Sequence, residues 1–170
     1  SVTALQLAAA VNTVANGGVY VAPKLVEAVI GADGEVTDTP AAATHQVIQP
    51  ATAATMTDMM KGVVGDGNGK GAQIPGISVA GKTGTAYKVQ DDNTYGAAGT
   101  RAYRASFVGY FPADAPRVTI LVTIDEPDPT SNDRFGGKAA APLFSSIATA
   151  AIHELQITPT PGDSGCPAAG

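Results

Sequence analysis

The sequence predicts an α+β fold in which a mostly antiparallel sheet is flanked by helices. Three segments place apolar residues at helical spacing, one near each end of the chain and one in the middle. The segments between them are rich in Val and Ile and are separated by Gly- and Pro-containing turns, which is typical of strands. A chain of 170 residues, 44% of them apolar, is long enough to bury one hydrophobic core.

The first helix is predicted over residues 4–16. Thr3 and Gln6 fit a capping box, in which the Thr3 side chain caps the helix and the Gln6 side chain reaches back. The sequence Asn-Gly-Gly at residues 16–18 ends this helix, because these residues tolerate a left-handed turn.

Two further helices are predicted. The second covers about residues 51–64, and the third follows Gly137 with Pro142 near its first turn. The apolar stripe of the second helix contains all three methionines, which we interpret as flexible filling of the core rather than a metal or cofactor site. These methionines are Met56, Met59 and Met60.

The first strands are predicted between the first two helices. Pro23 divides residues 19–30 into a short edge strand and a better strand at Leu25–Ile30. Residues 32–35 have the composition of a hairpin turn. Residues 38–46, which are rich in Thr, Pro and Ala, are expected to form a loop.

Three more strands are predicted before the third helix, over residues 77 to about 89, 103–111 and 117–124. Five residues join the last two strands, which suits an antiparallel hairpin. Residues 90–101 read as a connecting loop. The Pro- and Gly-rich residues 158–170 are expected to form a disordered tail beyond the folded residues 1–157.

Charge and cysteine content exclude several classes of function. The net charge is −5 and no basic run exists, which argues against nucleic acid as a partner. No stretch approaches the length of about 18 apolar residues that a membrane-spanning helix needs. Cys166 is the only cysteine, so the chain can form neither an intrachain disulfide nor a cysteine-based metal site.

The strongest candidate for a functional site is Lys82-Thr83-Gly84-Thr85, where a cation, two hydroxyls and a glycine meet on a predicted strand. Lys82 can attract a carboxylate or assist a nucleophile, and Gly84 leaves room for a substrate backbone. Thr85 offers a hydroxyl and a backbone N–H as donors. Strand alternation places Lys82 and Gly84 on the face opposite the two threonines. If Lys82 and Thr85 serve one site, the strand must therefore be an edge strand or be twisted near Gly84.

A competing interpretation is a nucleotide hydrolase, because residues 76–83 match the phosphate-binding pattern G-x-x-x-x-G-K-[ST]. Residues 118–126 also resemble an apolar strand that ends in acidic, Mg²⁺-binding residues. A phosphate loop must follow a strand and open a helix. Here a Gly- and Pro-containing loop precedes Gly76, and β-forming residues follow Lys82, so the context disfavours this alternative.

Lys82-Thr83-Gly84-Thr85, which follows Val79-Ala80-Gly81, resembles the third motif of penicillin-binding transpeptidases and serine β-lactamases, Lys-Thr/Ser-Gly. Further segments resemble class B penicillin-binding proteins, which cross-link peptidoglycan, and they occur in the same order as in that family. These segments are residues 2–8 with 15–18, residues 104–112, residues 125–127, and residues 135–144.

The resemblance implies a role for each residue of the motif. Lys82 supports the proton network and attracts the carboxylate of the substrate or of a β-lactam. Thr83 and Thr85 line the site, with the Thr85 hydroxyl on that carboxylate and its N–H in the oxyanion hole. Gly84 allows close approach. The wall near the acyl group is formed by Phe135, Gly136 and Gly137. No metal or cofactor is implied.

The sequence departs from the family pattern in two motifs. It contains no Ser-x-x-Lys on a helix and no Ser-x-Asn, since residues 131–133 read Ser-Asn-Asp. Both motifs are expected before Ser1, so the resemblance implies the C-terminal half of a transpeptidase domain, inactive alone. The implied partners are that N-terminal half, peptidoglycan stem peptides, β-lactam antibiotics and other proteins of cell-wall synthesis.

The implied location is the outer face of the bacterial cytoplasmic membrane, with an anchoring helix outside this chain. A second hypothesis is that the protein has this fold but does not catalyse transpeptidation, and instead serves as a β-lactam sensor or as a scaffold for cell division.

Overall fold

The computed structural model describes residues 2–97, 101–128 and 131–158, and it has the α+β architecture that the sequence predicts. The elements in chain order are α1 (Ala4–Ala15), β1 (Val19–Val21), β2 (Ala28–Ile30), β3 (Val36–Asp38), β4 (Thr44–Gln46), α2 (Pro50–Gly65), a 3₁₀ turn (Lys70–Ala72), β5 (Ala80–Tyr87), β6 (Tyr103–Phe111), β7 (Val118–Asp125) and α3 (Gly136–Glu154). Of the expected tail, all but Thr158 lies outside the described residues.

The main sheet has three antiparallel strands in the order β5, β6, β7. The central strand β6 is buried at five consecutive residues, 107–111, because helices cover both faces of the sheet. On one face Phe107 packs against Phe144 of α3, with ring centroids 4.8 Å apart. On the other face Tyr110 and Ala80 form a smaller cluster with Met60 of α2 and with partly buried residues of α1.

The predicted capping box at the start of α1 is confirmed. The Gln6 N–H donates to Thr3 Oγ1 at 3.2 Å, and the Thr3 N–H donates to Gln6 Oε1 at 2.9 Å. These two bonds satisfy backbone donors that a helix start otherwise leaves unpaired.

The prediction for the methionines of α2 is correct for one of the three. Met60 is buried, whereas the side chains of Met56 and Met59 are exposed, Met59 at 62%. The described chain therefore leaves a part of the apolar stripe of α2 uncovered.

The region between α1 and α2 differs from its prediction. Residues 44–46 were expected to lie in a loop, but they form β4, which pairs with β1. Leu25 was expected in a strand, but it is 88% exposed outside β2. The predicted turn at residues 32–35 is confirmed, since β2 and β3 form an antiparallel hairpin around it.

The start of α3 was also predicted wrongly. The helix begins at Gly136 and not after Gly137, so Pro142 lies inside the helix and not in its first turn. Glycine is a weak helix former, and the close packing of Gly136 on the main sheet outweighs that preference. Strand β5 is shorter than its prediction, since residues 77–79 and 88–89 lie outside it.

Candidate active site

Lys82, Thr83, Gly84 and Thr85 lie in the middle of β5, at one edge of the main sheet. Among the described residues, β5 pairs with β6 on one side only, and Gly84 lies opposite Ser106. The sequence required an edge strand, or a twist near Gly84, if Lys82 and Thr85 are to face one site, and β5 meets the first of these conditions.

The backbone of β5 presents alternate residues at its outer edge. Beyond the strand the Lys88 N–H donates to the Ala102 carbonyl at 2.9 Å, which continues the ladder with β6. In an antiparallel ladder only every second residue bonds to a given neighbour. Gly84 therefore bonds to β6, while the N–H and C=O groups of Thr83 and Thr85 point away from it. The outer edge offers a carbonyl acceptor at Thr83 and an N–H donor at Thr85.

The Lys82 ammonium reaches this same edge. Its Nζ donates to the Thr83 carbonyl at 2.9 Å and to Thr83 Oγ1 at 3.3 Å. The Thr83 hydroxyl in turn donates to Asn68 Oδ1 at 3.1 Å. The long lysine side chain thus brings its charge beside a hydroxyl that leaves the strand on the opposite face.

Sequence reasoning missed Asn68. It lies in a loop that contains four glycines within residues 65–71, and its type and spacing gave no sign of a role. A Cβ at Gly67 would lie only 2.8 Å from the Val63 carbonyl oxygen, so glycine allows the loop to fold back on the end of α2. That turn brings Asn68 to Thr83.

The first turn of α3 rests directly on β5 and β6. A Cβ on Gly136 would collide with the carbonyl oxygens of Ser106 and Gly84. The N-cap residue Phe135 makes no side-chain capping bond, and the Gly136 N–H instead donates to Thr85 Oγ1 at 3.2 Å. The positive end of the α3 dipole therefore lies beside Thr85, where it favours a negatively charged ligand.

Two glycines of the predicted site have packing reasons of their own. A Cβ on Gly137 would collide with the Asn68 carbonyl oxygen, and a Cβ on Gly84 would collide with Ser106 Oγ. A side chain at residue 137 would push the backbone of Asn68 away from α3, whereas a side chain at residue 84 would require the Ser106 hydroxyl to turn away. The approach of substrate to Gly84 remains a prediction.

An aromatic and cationic cluster extends from Phe135 along the end of the sheet. Tyr103 lies 6.4 Å from Phe135 and 5.3 Å from Tyr87, measured between ring centroids. The Arg134 guanidinium lies 4.6 Å from the Phe135 ring centroid, and Arg101 lies 4.6 Å from that of Tyr87. Only Phe135 of this cluster was predicted as a site residue. The direct pairing of Tyr87 with Tyr103 across two strands could be found only once the register was known.

The acidic residues at the end of β7 form exposed ion pairs. Asp125 contacts Lys88 at 2.7 Å and Arg104 at 3.0 Å, and Lys88 also contacts Glu126 at 2.6 Å. Hydrogen bonds from Lys88 and then from Arg104 lower the pKa of Asp125. Hydrogen bonds to Asp125 and Glu126 raise the pKa of Lys88. These charges partner one another rather than Lys82.

The nucleotide alternative does not fit the structure. After Lys82 and Thr83 the chain continues as strand β5 to Tyr87, so no helix start stands where a phosphate loop needs one. Within residues 2–97, 101–128 and 131–158, no group of three or more His, Cys, Asp or Glu side chains could hold a metal ion. No helix in the same ranges is long and apolar enough to cross a membrane.

Comparison with known proteins agrees with this geometry. Penicillin-binding protein PbpB of Mycolicibacterium smegmatis is 37% identical over 171 residues, which cover 95% of this chain and 26% of that protein. Stage V sporulation protein D of Bacillus subtilis is 35% identical over 163 residues, with 94% and 24% covered. The chain thus spans about a quarter of the length of these curated relatives.

A solved structure and a family model extend the agreement to the fold. The crystal structure of penicillin-binding protein 3 from Mycobacterium tuberculosis, complexed with aztreonam, matches with a TM-score of 0.81 at 31% identity, covering 99% of this chain and 38% of that one. The family model described as penicillin binding protein transpeptidase domain matches residues 1–149. The chain therefore belongs to the penicillin-binding protein transpeptidase family, and its resemblance to the class B members is confirmed.

Proposed function

We propose that this chain supplies one wall of the active site of a D,D-transpeptidase that cross-links peptidoglycan through a serine acyl-enzyme. The observation that carries the proposal is the meeting of a cation, two hydroxyls and a backbone N–H at the open edge of β5. Acyl transfer needs such donors where negative charge is held or develops.

In this mechanism the stem peptide lies along the outer edge of β5. The oxygen of a serine hydroxyl, which gives up its proton, attacks the carbonyl carbon of the peptide bond between the last two D-alanines, and the carbon–nitrogen bond breaks. The terminal D-alanine leaves as its amine takes up a proton. An amine from a neighbouring strand then attacks the resulting ester, gives up a proton, and restores the serine hydroxyl. No step needs a metal or a cofactor.

Thr85 has two tasks in this scheme. Its hydroxyl oxygen accepts the Gly136 N–H, so the hydroxyl hydrogen can be donated to the terminal carboxylate of the substrate. Its backbone N–H points to the outer edge and donates to the developing oxyanion. Lys82 and the positive end of the α3 dipole act on the same carboxylate electrostatically. Thr83 holds the Lys82 ammonium in place.

The remaining walls are contributed as follows. Gly84 permits close approach of the substrate backbone, and Phe135 with Gly136 and Gly137 borders the acyl group. The nucleophile comes from a Ser-x-x-Lys motif and its proton relay from a Ser-x-Asn motif, both outside this sequence. Residues 1–157 are then the C-terminal half of the transpeptidase domain, and residues 158–170 are a tail.

The complete enzyme acts on the outer face of the cytoplasmic membrane, is anchored by an N-terminal helix outside this chain, and works with other proteins of cell-wall synthesis. It is inhibited by β-lactams, which acylate the same serine.

A fluorescent penicillin tests the proposal. The 170-residue chain alone is expected to stay unlabelled, and the transpeptidase completed with its N-terminal half is expected to be labelled covalently. In the completed protein, Thr85→Val is expected to slow acylation roughly tenfold to hundredfold, since a hydrogen bond to a charged group is worth about 1.5–3 kcal/mol. Lys82→Ala is expected to slow it at least as much.

Lys24→Ala, which removes an exposed cation from the segment before β2, is the matched control and is expected to change nothing. Labelling of the isolated chain would contradict the division of the site between two halves. If neither Lys82→Ala nor Thr85→Val changes the rate of acylation, β5 does not form a wall of the active site. Turnover of a depsipeptide substrate separates an enzyme from a β-lactam sensor, which forms the acyl-enzyme without turnover.

A further inference from the structure

The hairpin formed by β2 and β3 stands away from the rest of the described chain. Every residue from 23 to 38 is exposed except Ala28, which is half-buried. The exposed residues include large apolar side chains, with Leu25 at 88%, Ile30 at 72% and Val36 at 61% exposure. Such a concentration of apolar surface on a small projecting element indicates a contact surface.

Hydrogen bonds hold the hairpin together at its turn and at its open end. The Gly31 N–H donates to the Glu35 carbonyl at 2.8 Å, and Gly34 occupies the left-handed region at φ 85°. At the open end the Thr39 N–H donates to the Glu27 carbonyl at 2.8 Å. The hairpin is therefore closed at both ends, although a two-stranded hairpin alone is only marginally stable.

The two faces of the hairpin differ in chemistry. The pairing of Val29 with Thr37 and of Ile30 with Val36 assigns each side chain to a face. One face carries Glu27 and Glu35 together with Val29 and Thr37. The opposite face carries the apolar pair Ile30 and Val36 together with Ala28 and Asp38.

The outer edge of β2 offers backbone groups for a further strand. The ladder bonds that join the two strands involve Glu27 and Gly31, so by alternation the N–H and C=O groups of Ala28 and Ile30 point away from β3. An extended peptide can bind to such an edge by strand addition, with affinity from main-chain bonds and specificity from side chains.

We propose that this hairpin binds a partner protein through an extended segment in which basic and apolar residues alternate. Such a segment, added beside β2, places its basic side chains over the face of Glu27 and Glu35 and its apolar side chains over Ile30 and Val36. Residues 24–38 contain four acidic side chains and one lysine, which favours a basic ligand and disfavours an anionic lipid surface. The proposal does not depend on the transpeptidase activity.

The probe is a fluorescein-labelled heptapeptide of alternating lysine and valine, and its binding to the 170-residue chain is followed by fluorescence anisotropy. Amide chemical shifts in ¹⁵N-labelled chain locate the bound peptide, and they are expected to change at β2 and its flanking residues. A heptapeptide of alternating glutamate and valine is expected not to bind.

Two variants test separately the contribution of the acidic side chains and that of the backbone edge of β2. The double change Glu27→Lys with Glu35→Lys is expected to weaken binding roughly tenfold, because attraction is replaced by repulsion. Ala28→Pro removes an N–H that points away from β3 and leaves the hairpin ladder in place, and it is expected to weaken binding roughly fivefold. The matched control Asp58→Lys with Glu154→Lys makes the same charge change on two helices and is expected to bind as the unaltered chain does.

Several results would overturn the proposal. These are equal binding of the acidic peptide, equal weakening by the control variant, or shifts at the outer edges of β5 or β7 in place of β2. Dimers of the chain that Glu27→Lys dissociates would assign the hairpin to a second copy. Protection of the hairpin amides from hydrogen exchange in the complete transpeptidase, without a partner, would assign it to the rest of the same polypeptide.

Discussion

The main sheet and the region between α1 and α2 are both rich in Val and Ile, but they differ in what covers them. In the main sheet, helices pack on both faces, and Phe107, Tyr110 and Phe111 are fully buried. Residues 19–47 contain four strands of three residues each in two separate pairs, and none of those strand residues is buried. Strand-forming residues therefore produce a core only where another layer lies against them.

The largest difference between the two regions is expected from matched truncations to alanine. Phe107→Ala removes a fully buried ring that packs on Phe144, and it is expected to lower the free energy of unfolding by about 3–5 kcal/mol. Ile30→Ala removes a side chain that is 72% exposed, and it is expected to change that free energy by less than about 0.5 kcal/mol. Urea unfolding followed by circular dichroism measures both.

A loss of more than about 2 kcal/mol in Ile30→Ala would show that the hairpin is buried in solution. The contrast between the two regions would then be wrong, and the hairpin could not serve as a docking surface.

A smaller effect is expected at the glycine that joins α3 to the sheet. Gly136→Ala forces a Cβ against the carbonyl oxygens of Ser106 and Gly84, and it is expected to destabilise the fold by about 1–3 kcal/mol. In Gly62→Ala, by contrast, the added Cβ meets nothing within 4 Å on α2, and stability is expected to rise by up to about 1 kcal/mol. Thermal unfolding of the two variants compares them directly.

The same pair of variants separates the site from the scaffold. In the completed transpeptidase, Gly136→Ala is expected to slow acylation because it displaces the N–H that donates to Thr85 Oγ1. Gly62→Ala is expected to leave acylation unchanged. Equal acylation rates would mean that the first turn of α3 does not position Thr85.

The sequence predicts the features that depend on local residues and misses those that depend on contacts between distant segments. The bounds of β6 were predicted to the residue, and the cap of α1 was predicted from Thr3 and Gln6, because local pattern and local bonds determine both. Strand β4 was missed because its pairing with β1 joins segments that lie far apart in sequence. The start of α3 was missed because glycine at residue 136 is chosen by contact with the sheet and not by helix preference.

The candidate site, too, could be predicted from the sequence only in part. Its location on β5 followed from residue types, since Lys82, Thr83 and Thr85 carry groups that acyl transfer uses. An edge position was one of the two ways in which Lys82 and Thr85 could face one site. Its completion by Asn68 and by the Gly136 N–H depends on two segments that meet β5 only after folding. Spacing along the chain contains no information on that meeting.

The smallest effects are expected at the exposed ion pairs at the far end of the main sheet, where strand pairing continues without burial. Lys88 and Arg104 lower the pKa of Asp125, so its contribution to stability is present above the unfolded pKa, about 3.9, and is lost as the pH falls through the lower folded pKa. The raised pKa of Lys88 has the opposite sense: its contribution is present below about pH 10.4 and is lost as the pH rises through the folded pKa. Asp125→Asn is therefore expected to reduce stability slightly at neutral pH, and to have no such effect once the pH has fallen below the lowered folded pKa of Asp125. Urea unfolding at neutral pH and at acidic pH, with and without 1 M NaCl, measures this effect, with Asp58→Asn on α2 as the matched control.

Since salt screens exposed charges, the difference in stability between Asp125→Asn and the unaltered chain at neutral pH should shrink in high salt. A loss at neutral pH that persists unchanged in 1 M NaCl would mean that these charges are shielded from solvent, and the end of the sheet would then belong with its buried centre.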